Sequence, residues 1–388
     1  MRALTTGKPF IVGRELYYIS QAVLNGWLQG DGNFTRRCHA WLEKETGCKK
    51  ALLTHSCTAA LEMTAILADI QPGDEIIMPS FTFSSTANAF VLRGGIPVFV
   101  DIRPDTLNID ENLVEAAITP RTRAIVAVHY AGVACEMKKL VDIAQRFNLI
   151  LIEDAAQAIL SSYEGKALGS WGNFGCLSFH ESKNIISGEG GALLINDSRY
   201  IERAEIIREK GTNRTQFFRH EASKYTWVDL GSSFLPSELI AAFLFAQLEN
   251  ARKIIRHRLS IARNYHAGLS HLQEQGVIEL TASADSLQGN GHIVYFLTRT
   301  PEERSALIAK LKEQEISAVF HYLPLHSSPA GLRFGRTHGT LRVTDDISNR
   351  LVRLPIFFEM RPADVRRVLN ALASFFNATP SKTAIPDD

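Results

Sequence analysis

The chain has 388 residues, of which 45% are hydrophobic and 21% charged, an ordinary composition for a soluble globular enzyme. Its 42 basic and 41 acidic residues leave a formal charge of +1, so electrostatics favour neither nucleic acid nor an anionic membrane as a partner. The five cysteines form no Cys-x-x-Cys pair and residues 1–10 do not resemble a signal peptide. We therefore expect no metal site, no disulfide framework and a cytoplasmic location.

The first fifty residues predict two helices joined by a glycine-rich loop. Apolar residues recur with a helical period between residues 13 and 26. Three glycines then surround Trp27 in the stretch 26–32, which predicts either a loop that approaches a ligand closely or a plain surface turn. Thr35 is placed to cap the second helix, and Gly47 ends it.

Between residues 51 and 195 short apolar strands alternate with helices. Continuous apolar runs are typical of strands that are covered on both faces, and strand–helix alternation predicts an α/β fold with a doubly wound, mainly parallel sheet. The predicted strands are 51–53, 75–78, 97–101, 124–129, 149–154 and 192–195. The predicted helices are 56–69, 111–118, 137–147 and one that follows the stretch 79–86 and ends at Leu92.

The pattern changes after residue 195. A helix is predicted at 200–210, followed at 212–233 by a polar and aromatic loop, which in a compact enzyme is usually functional or packs against a subunit. A helical pattern over 237–272 contains the predicted domain boundary, near Asn250, and the elements that follow predict a small α+β domain. These elements are strands 293–297 and 317–321 and helices 303–314, 347–351 and 365–376. We predict a large domain at 1–250, a small C-terminal domain at 251–378 and a disordered tail at 379–388.

Functional side chains are predicted to meet at one edge of the large sheet. In parallel sheets ligands bind beyond the carboxyl ends of the strands. Thr58, Phe83, His129 and Asp154 all fall at or just after such ends. The stretch 175–191 adds a short strand, a polar turn that carries Lys183 and a glycine-rich return.

These residue types match what pyridoxal phosphate requires of a protein. The cofactor needs an amine for its aldehyde, a carboxylate for its pyridine nitrogen, a flat partner for its ring and an anion site for its phosphate. Lys183, Asp154 and Phe83 are candidates for the first three needs. The helix that begins at residues 56–59 presents backbone N–H groups to a phosphate. Each residue also has a structural alternative as a surface lysine, a helix cap or a core ring.

Several stretches resemble the DegT/StrS family of nucleotide-sugar aminotransferases. The likeness extends over roughly residues 9–376 and implies a fold type I architecture, with a large domain for pyridoxal phosphate, a small C-terminal domain and active sites between the subunits of a homodimer. The stretches are GDGNFTRRC at 30–38, SCTA at 56–59, PSFTF at 79–83, VHYAGVACEM at 128–137, EDAAQ at 153–157, SFHESKN at 178–184, EKGTNR at 209–214 and FHYLPLH at 320–326.

The resemblance also implies roles for individual residues. Lys183 becomes the Schiff-base lysine, Asp154 the partner of the pyridine nitrogen, Gln157 a ring contact and Phe83 the stacking ring. The implied phosphate contacts are Thr58, Ala59 and Ser178, and the candidate sugar-site residues are Trp27, His180, Arg214, His321, Tyr322 and His326.

One position departs from the family pattern. Many members place an asparagine of the neighbouring subunit near the phosphate, whereas the matching position here is Leu235. Ser232 and Ser233 are therefore the candidates for a phosphate contact across the interface.

Within the family the likeness is greatest to transaminases of enterobacterial common antigen synthesis. It implies that L-glutamate is the amino donor and the C4 ketone of dTDP-4-keto-6-deoxy-D-glucose the acceptor, with the cofactor alternating between its pyridoxal and pyridoxamine forms. Amination at C3 or of another nucleotide-linked keto sugar is an alternative. A sugar dehydratase is disfavoured, because those relatives carry histidine in place of Lys183. A non-catalytic regulator that binds the cofactor is a further alternative, although the chain has no basic patch and no appended DNA-binding domain.

Overall fold

The computed structural model describes residues 3–281 and 289–379. Of the tail predicted at 379–388, only Thr379 falls within these ranges, so its disorder stays a prediction. The strands are β1 (Lys50–Thr54), β2 (Glu75–Pro79), β3 (Ile96–Val100), β4 (Thr122–Val128), β5 (Ile150–Asp154), β6 (Ser162–Tyr163), β7 (Lys166–Ala167), β8 (Phe174–Ser178), β9 (Gly191–Ile195), β10 (Val294–Leu297), β11 (Arg336–Thr337) and β12 (Leu351–Leu354). The helices are α1 (Glu15–Leu24), α2 (Asn33–Thr46), α3 (Cys57–Leu67), α4 (Ser84–Val91), α5 (Glu111–Val114), α6 (Met137–Arg146), α7 (Ile201–Arg208), α8 (Arg214–Phe218), α9 (Glu238–Glu249), α10 (Ala251–Glu274), α11 (Pro301–Glu313), α12 (Pro329–Phe334), α13 (Arg342–Arg350) and α14 (Pro362–Phe375).

Eight strands form one sheet in the order β1-β9-β8-β5-β4-β2-β3-β11. Neighbouring strands are parallel except where β9 pairs with β1 and β8, to which it is antiparallel. β9 is reversed because the chain turns back after β8, through the polar turn and glycine-rich return around Lys183. The predicted α/β fold with a mixed, mostly parallel sheet is confirmed. The carboxyl ends of β1, β2, β4, β5 and β8 therefore share one edge.

The sheet is buried between two layers of helices. Every residue of β2 and β8 is buried, which explains the continuous apolar runs in the sequence. On one face Leu61 and Met63 of α3 pack with Phe90 of α4. On the other face α6 contributes Leu140 and Ile143, three residues apart and hence on one side of a helix. Because the interior of the sheet is closely packed, the side chains at its edge are held in fixed positions.

The C-terminal part has a core of its own. Helices α10, α11 and α14 pack around the antiparallel pair β10–β12, and Leu4 from the N-terminus joins the same cluster. The helical pattern predicted over 237–272 divides at Asn250, which ends α9 and precedes α10. The division into two domains near this residue stays a prediction.

Two predicted elements of the C-terminal part differ in the structure. The stretch 317–321 is not a strand: Val319 makes a single bridge with Arg353, and β12 pairs with β10 instead. The predicted helix at 347–351 begins earlier, at Arg342, and its last residue opens β12. In both cases the pairing partner is distant in sequence, where local periodicity carries no information.

His129 stabilises this edge of the sheet from inside the core. The Cys135 N–H donates to its Nδ1 at 3.2 Å, so Nε2 carries the proton that is donated to Glu153 Oε2 at 2.9 Å. Glu153 also accepts hydrogen bonds from the backbone N–H groups of Gly169, Trp171 and Gly172. Both side chains are fully buried, so His129 fixes the turn after β4 and does not face a ligand.

Within the described ranges, no helix is both long enough and apolar enough to pass through a bilayer. The same part of the chain contains no group of three histidine, cysteine, aspartate or glutamate side chains arranged to hold a metal ion.

Candidate active site

A cavity of about 320 Å³ opens at the carboxyl edge of the sheet. This volume suits a small-molecule cofactor together with part of a substrate. Nine of the predicted site residues line it: Thr58, Phe83, Asp154, Gln157, Ser178, His180, Lys183, His321 and Tyr322. The sheet and the C-terminal part of the chain thus meet at one cavity.

Asp154 is held firmly at the end of β5. The Thr86 hydroxyl lies 2.7 Å from Oδ2 and donates to it, and Thr86 also bonds to the Thr82 hydroxyl at 2.8 Å. The backbone N–H of Ala156 donates to Oδ1 at 3.2 Å. With both oxygens engaged and 6% of its surface exposed, this carboxylate points in one direction.

Lys183 is positioned by the neighbouring Asn184. The amide of Asn184 donates to the Asn290 carbonyl and its oxygen contacts His292 Nδ1, each at 3.0 Å. Burial in the cavity lowers the pKa of Lys183, although Cys57 and Asp154 nearby oppose the shift. A lowered pKa increases the fraction of neutral amine, which is the nucleophilic and basic form.

The N-terminus of α3 also lines the cavity, through Ser56, Cys57 and Thr58. Thr58 bonds to the Ser85 hydroxyl at 2.8 Å, and Ser178 lies at the end of β8. The first N–H groups of a helix have no partner within it and attract anions. The Ala59 N–H is already bonded to the Ser56 hydroxyl at 3.0 Å, and Ala59 does not line the cavity, so its phosphate contact stays a prediction.

An aromatic group forms the remaining wall. His321 stacks on Tyr322 with ring centroids 3.9 Å apart, while Phe83 presents a ring that is 60% exposed. Gln157 donates to the Tyr322 hydroxyl at 2.9 Å and accepts from the Ala131 N–H at 2.7 Å. Both polar ends of this amide are thus used within the protein.

Three predicted site residues lie elsewhere. Trp27 and Arg214 line a separate cavity of about 460 Å³. Arg214 there donates to Gln29 at 2.9 Å. His326 contacts the Ser80 hydroxyl at 2.8 Å through Nδ1 and does not line the cavity of Lys183.

The position of the missing asparagine is also outside the cavity. Leu235 packs so closely on Gly30 that a Cβ at Gly30 would lie 2.4 Å from a Leu235 methyl. Ser232 and Ser233 pair through their backbone with residues 209–210. A contact of either serine across a subunit interface stays a prediction.

Residues 10–373 match the DegT/DnrJ/EryC1/StrS aminotransferase family. The chain belongs to this family. The aminotransferase is 30% identical over 374 residues to SpsC, a spore coat polysaccharide biosynthesis protein of Bacillus subtilis. The alignment covers 94% of this chain and 95% of SpsC. It is 32% identical over 347 residues to a pleiotropic regulatory protein of Geobacillus stearothermophilus, and this alignment covers 89% of the chain and 90% of the relative. Among solved structures, the aminotransferase TlmJ of Streptoalloteichus hindustanus has a TM-score of 0.89 at 25% identity, with 97% and 99% covered.

The chain is therefore a sugar aminotransferase that depends on pyridoxal phosphate. The predicted family, enzyme class and cofactor are thereby confirmed. The cavity of the aminotransferase fits that cofactor chemically. Lys183 offers an amine for the aldehyde, Asp154 a fixed carboxylate for the ring nitrogen, and Phe83 an uncovered ring. Hydroxyl groups surround the helix N-terminus, where a phosphate is stabilised.

Gly191 allows β9 to approach the N-terminus of α3. A Cβ there would lie 2.4 Å from the Ser56 carbonyl carbon and 2.5 Å from the Cys57 nitrogen. We expect Gly191→Ala to cost about 1–3 kcal/mol of folding free energy and to weaken cofactor binding, because the helix N-terminus must shift. Urea unfolding and cofactor titration measure both effects. Gly7→Ala, which meets nothing within 4 Å, is the control and should change neither.

His321 predicts a specific pH dependence of stability. Burial, assisted by Arg353 and Lys183, lowers its pKa from 6.5 to about 3. Between pH 3 and 6.5 the imidazole of His321 is protonated in the unfolded chain and neutral in the folded one. The free energy of unfolding is therefore highest above pH 6.5 and falls as the pH is lowered towards 3. When the pH is lowered from 6.5 to about 5, we expect the free energy of unfolding to fall less in His321→Gln than in the wild type. The difference between the two decreases should be up to about 2 kcal/mol. Urea unfolding at both pH values tests this, and the exposed His257→Gln should behave as the wild type does.

The cavity residues that were not predicted from the sequence include His292 and Arg353. His292, from the C-terminal part of the chain, contacts Asn184, and Arg353 lines the cavity from β12. The available signal for Arg353 was one charged residue inside the apolar run LVRLPIFF at 351–358. A charge in such a run must find a partner or a ligand.

Proposed function

We propose that this aminotransferase moves the amino group of L-glutamate to the C4 ketone of dTDP-4-keto-6-deoxy-D-glucose. The products are dTDP-4-amino-4,6-dideoxy-D-galactose and 2-oxoglutarate. The observation that supports a transamination is that Lys183, Asp154 and the N-terminus of α3 line one cavity. The choice of this sugar is supported by the family membership and by stretches such as SFHESKN and FHYLPLH, which resemble transaminases of enterobacterial common antigen synthesis.

Each side chain then has a definite task. Pyridoxal phosphate, when bound, supplies an electron sink that stabilises negative charge at the carbon that loses its proton. Lys183 anchors the cofactor aldehyde, and its Nζ moves the proton to and from the α-carbon of the amino donor. Asp154 keeps the ring nitrogen protonated, and Phe83 covers the ring. Thr58, Ala59 and Ser178 hold the phosphate, and Gln157 contacts the ring edge.

The sugar site is proposed to combine residues of two subunits. His180, His321 and Tyr322 line the cavity, whereas Trp27 and Arg214 lie in the separate cavity described above. A homodimer with shared active sites would bring the latter pair to the partner's substrate. This proposal is supported by exposed apolar side chains in α1 and in the segment 212–233, including Leu24 at 84%, Phe218 at 61% and Trp227 at 76%.

The test of the reaction is product identification. The purified protein is incubated with dTDP-4-keto-6-deoxyglucose and L-glutamate, the product mass is determined, and NMR assigns the configuration at C4. We expect the mass of the amino sugar and the galacto configuration. Amination at C3, the gluco configuration at C4, or reaction only with another nucleotide-linked keto sugar would contradict the proposed substrate and leave the transaminase assignment intact.

A non-catalytic regulator is the second candidate, because a relative that is 32% identical is named a pleiotropic regulatory protein. Glutamate alone separates the two functions. The absorbance of the bound cofactor changes in a transaminase as the amino group is transferred, and it stays constant in a protein that only binds the cofactor.

Two further proposals concern organisation and location. We propose that residues 251–378 form a small domain, which is supported by the separate hydrophobic cluster around α10 and α14. We also propose a cytoplasmic location, which is supported by five cysteines that all remain free thiols.

A further inference from the structure

Arg353 contributes a positive charge to the cavity that the protein itself does not neutralise. Its Nε is buried and has no hydrogen-bond partner in the described ranges. No ion pair within those ranges joins Arg353 to a carboxylate, and burial lowers the pKa of its guanidinium. A buried guanidinium without a counter-ion is unfavourable unless a bound anion completes the site.

Arg258, another buried arginine, shows what a structural role looks like in this fold. It donates to the backbone carbonyls of Gly291, His292 and Ile356 at 3.0–3.4 Å, so the protein satisfies its donors. Among the residues that the structure describes, the side chain of Arg353 has one weak hydrogen-bond contact, from Nη1 to His321 Nε2 at 3.5 Å. Arg258 is buried, whereas Arg353 is partly exposed and lines the cavity.

The imidazole of His321, which contacts Arg353, is neutral. A guanidinium can only donate, so His321 Nε2 accepts, and the proton on Nδ1 is donated to the Tyr130 hydroxyl at 3.2 Å. The low pKa of His321 agrees with this tautomer. His321 therefore orients Arg353 without neutralising its charge.

Arg353 also lies close enough to Lys183 to lower the pKa of the amine. Among the described residues that line the cavity, Lys183 and Arg353 are the only lysine or arginine side chains, and Lys183 is engaged in the proposed chemistry. A phosphate is already provided for at the α3 N-terminus. The anion for Arg353 is thus one that approaches the amine of Lys183.

We propose that Arg353 binds the α-carboxylate of the amino donor. This inference rests on the proposed transaminase function and extends it to the recognition of the first substrate. An amino acid carries its carboxylate on the same carbon that loses a proton to Lys183. A keto sugar is uncharged at its reacting carbon and carries its negative charge on a remote diphosphate. The charge near Lys183 therefore selects the donor, and a planar guanidinium suits a carboxylate.

The first test changes the ligand and leaves the protein intact. The change in absorbance of the bound cofactor is titrated, without any sugar, with L-glutamate, with its α-amide L-isoglutamine and with its side-chain amide L-glutamine. We expect half-saturation to require roughly 10- to 100-fold more isoglutamine than glutamate, because a charged hydrogen bond is lost. Glutamine should be affected less. Equal half-saturation for glutamate and isoglutamine would overturn the proposal.

The second test changes Arg353. In Arg353→Gln we expect half-saturation by glutamate to rise roughly 10- to 100-fold and the discrimination against isoglutamine to disappear, with partial recovery in Arg353→Lys. The matched control is Arg350→Gln, since Arg350 pairs outside the cavity with Asp346 and Glu279. The response of the aminated enzyme to the keto sugar should be unchanged. A variant that loses the sugar response and keeps the glutamate response would show that Arg353 serves the acceptor instead. If the wild-type absorbance does not respond to glutamate at all, the proposed function itself is wrong.

Discussion

Lys183→Ala is expected to lower the rate of transamination by at least ~10⁴-fold, because one amine both anchors the cofactor and moves the proton. The side chain lines the cavity, and its lowered pKa favours the neutral amine that these tasks need. The measurement is the glutamate-dependent release of 2-oxoglutarate. Folding should be preserved, because the change removes a buried amine and leaves the contacts of Asn184 in place.

The control for Lys183 is Lys138→Ala. Lys138 is a surface lysine that pairs with Glu164, so its removal should leave the rate unchanged. A second readout does not depend on turnover: borohydride reduction of the wild type should place the mass of the cofactor on the peptide that contains Lys183. Finding that mass on another lysine, or a normal rate in Lys183→Ala, would contradict the assignment of Lys183 as the Schiff-base lysine.

Asp154→Asn is expected to lower the rate about 10²- to 10³-fold. Asparagine has the same shape and can still accept from Thr86, but it lacks the negative charge that stabilises a protonated ring nitrogen. Removing one partner of a buried charge pair costs about 3–5 kcal/mol, and the lower part of that range corresponds to the expected loss of rate. Initial rates with saturating glutamate and acceptor test this.

Two further variants make the Asp154 test specific. Thr86→Val removes one hydrogen bond to the carboxylate and keeps its charge, so a loss of only ~3- to 10-fold is expected. Asp142→Asn removes a surface carboxylate that pairs with Arg146 and should have no effect. A rate for Asp154→Asn equal to that of Thr86→Val would mean that the charge of Asp154 is not used.

Much of the fold could be predicted because its signals are local. The strands of the large sheet are short apolar runs, and β5 and β8 are buried almost throughout, as such runs predict. Parallel strands place their carboxyl ends at one edge, which is why Asp154, Phe83 and Thr58 were expected near Lys183. The structure brings all four side chains to one cavity.

Other features depend on contacts between distant segments. The bridge of Val319 with Arg353 could not be predicted, because neither segment identifies its partner. His129 shares the strand-end position of the cavity residues but points into the core, where Glu153 binds it. The sequence signal for these two outcomes is the same, and only packing distinguishes them.

The sequence by itself determined the α/β class, the order of the elements around Lys183 and the cofactor chemistry, since periodicity and residue type are properties of each segment. Only the tertiary structure decided that Arg353 enters the same cavity and that Trp27 and Arg214 line another one. The physical reason is that burial and charge compensation are sums over several segments. Whether a guanidinium is already satisfied, as in Arg258, or awaits an anion, as in Arg353, is a property of the assembled fold.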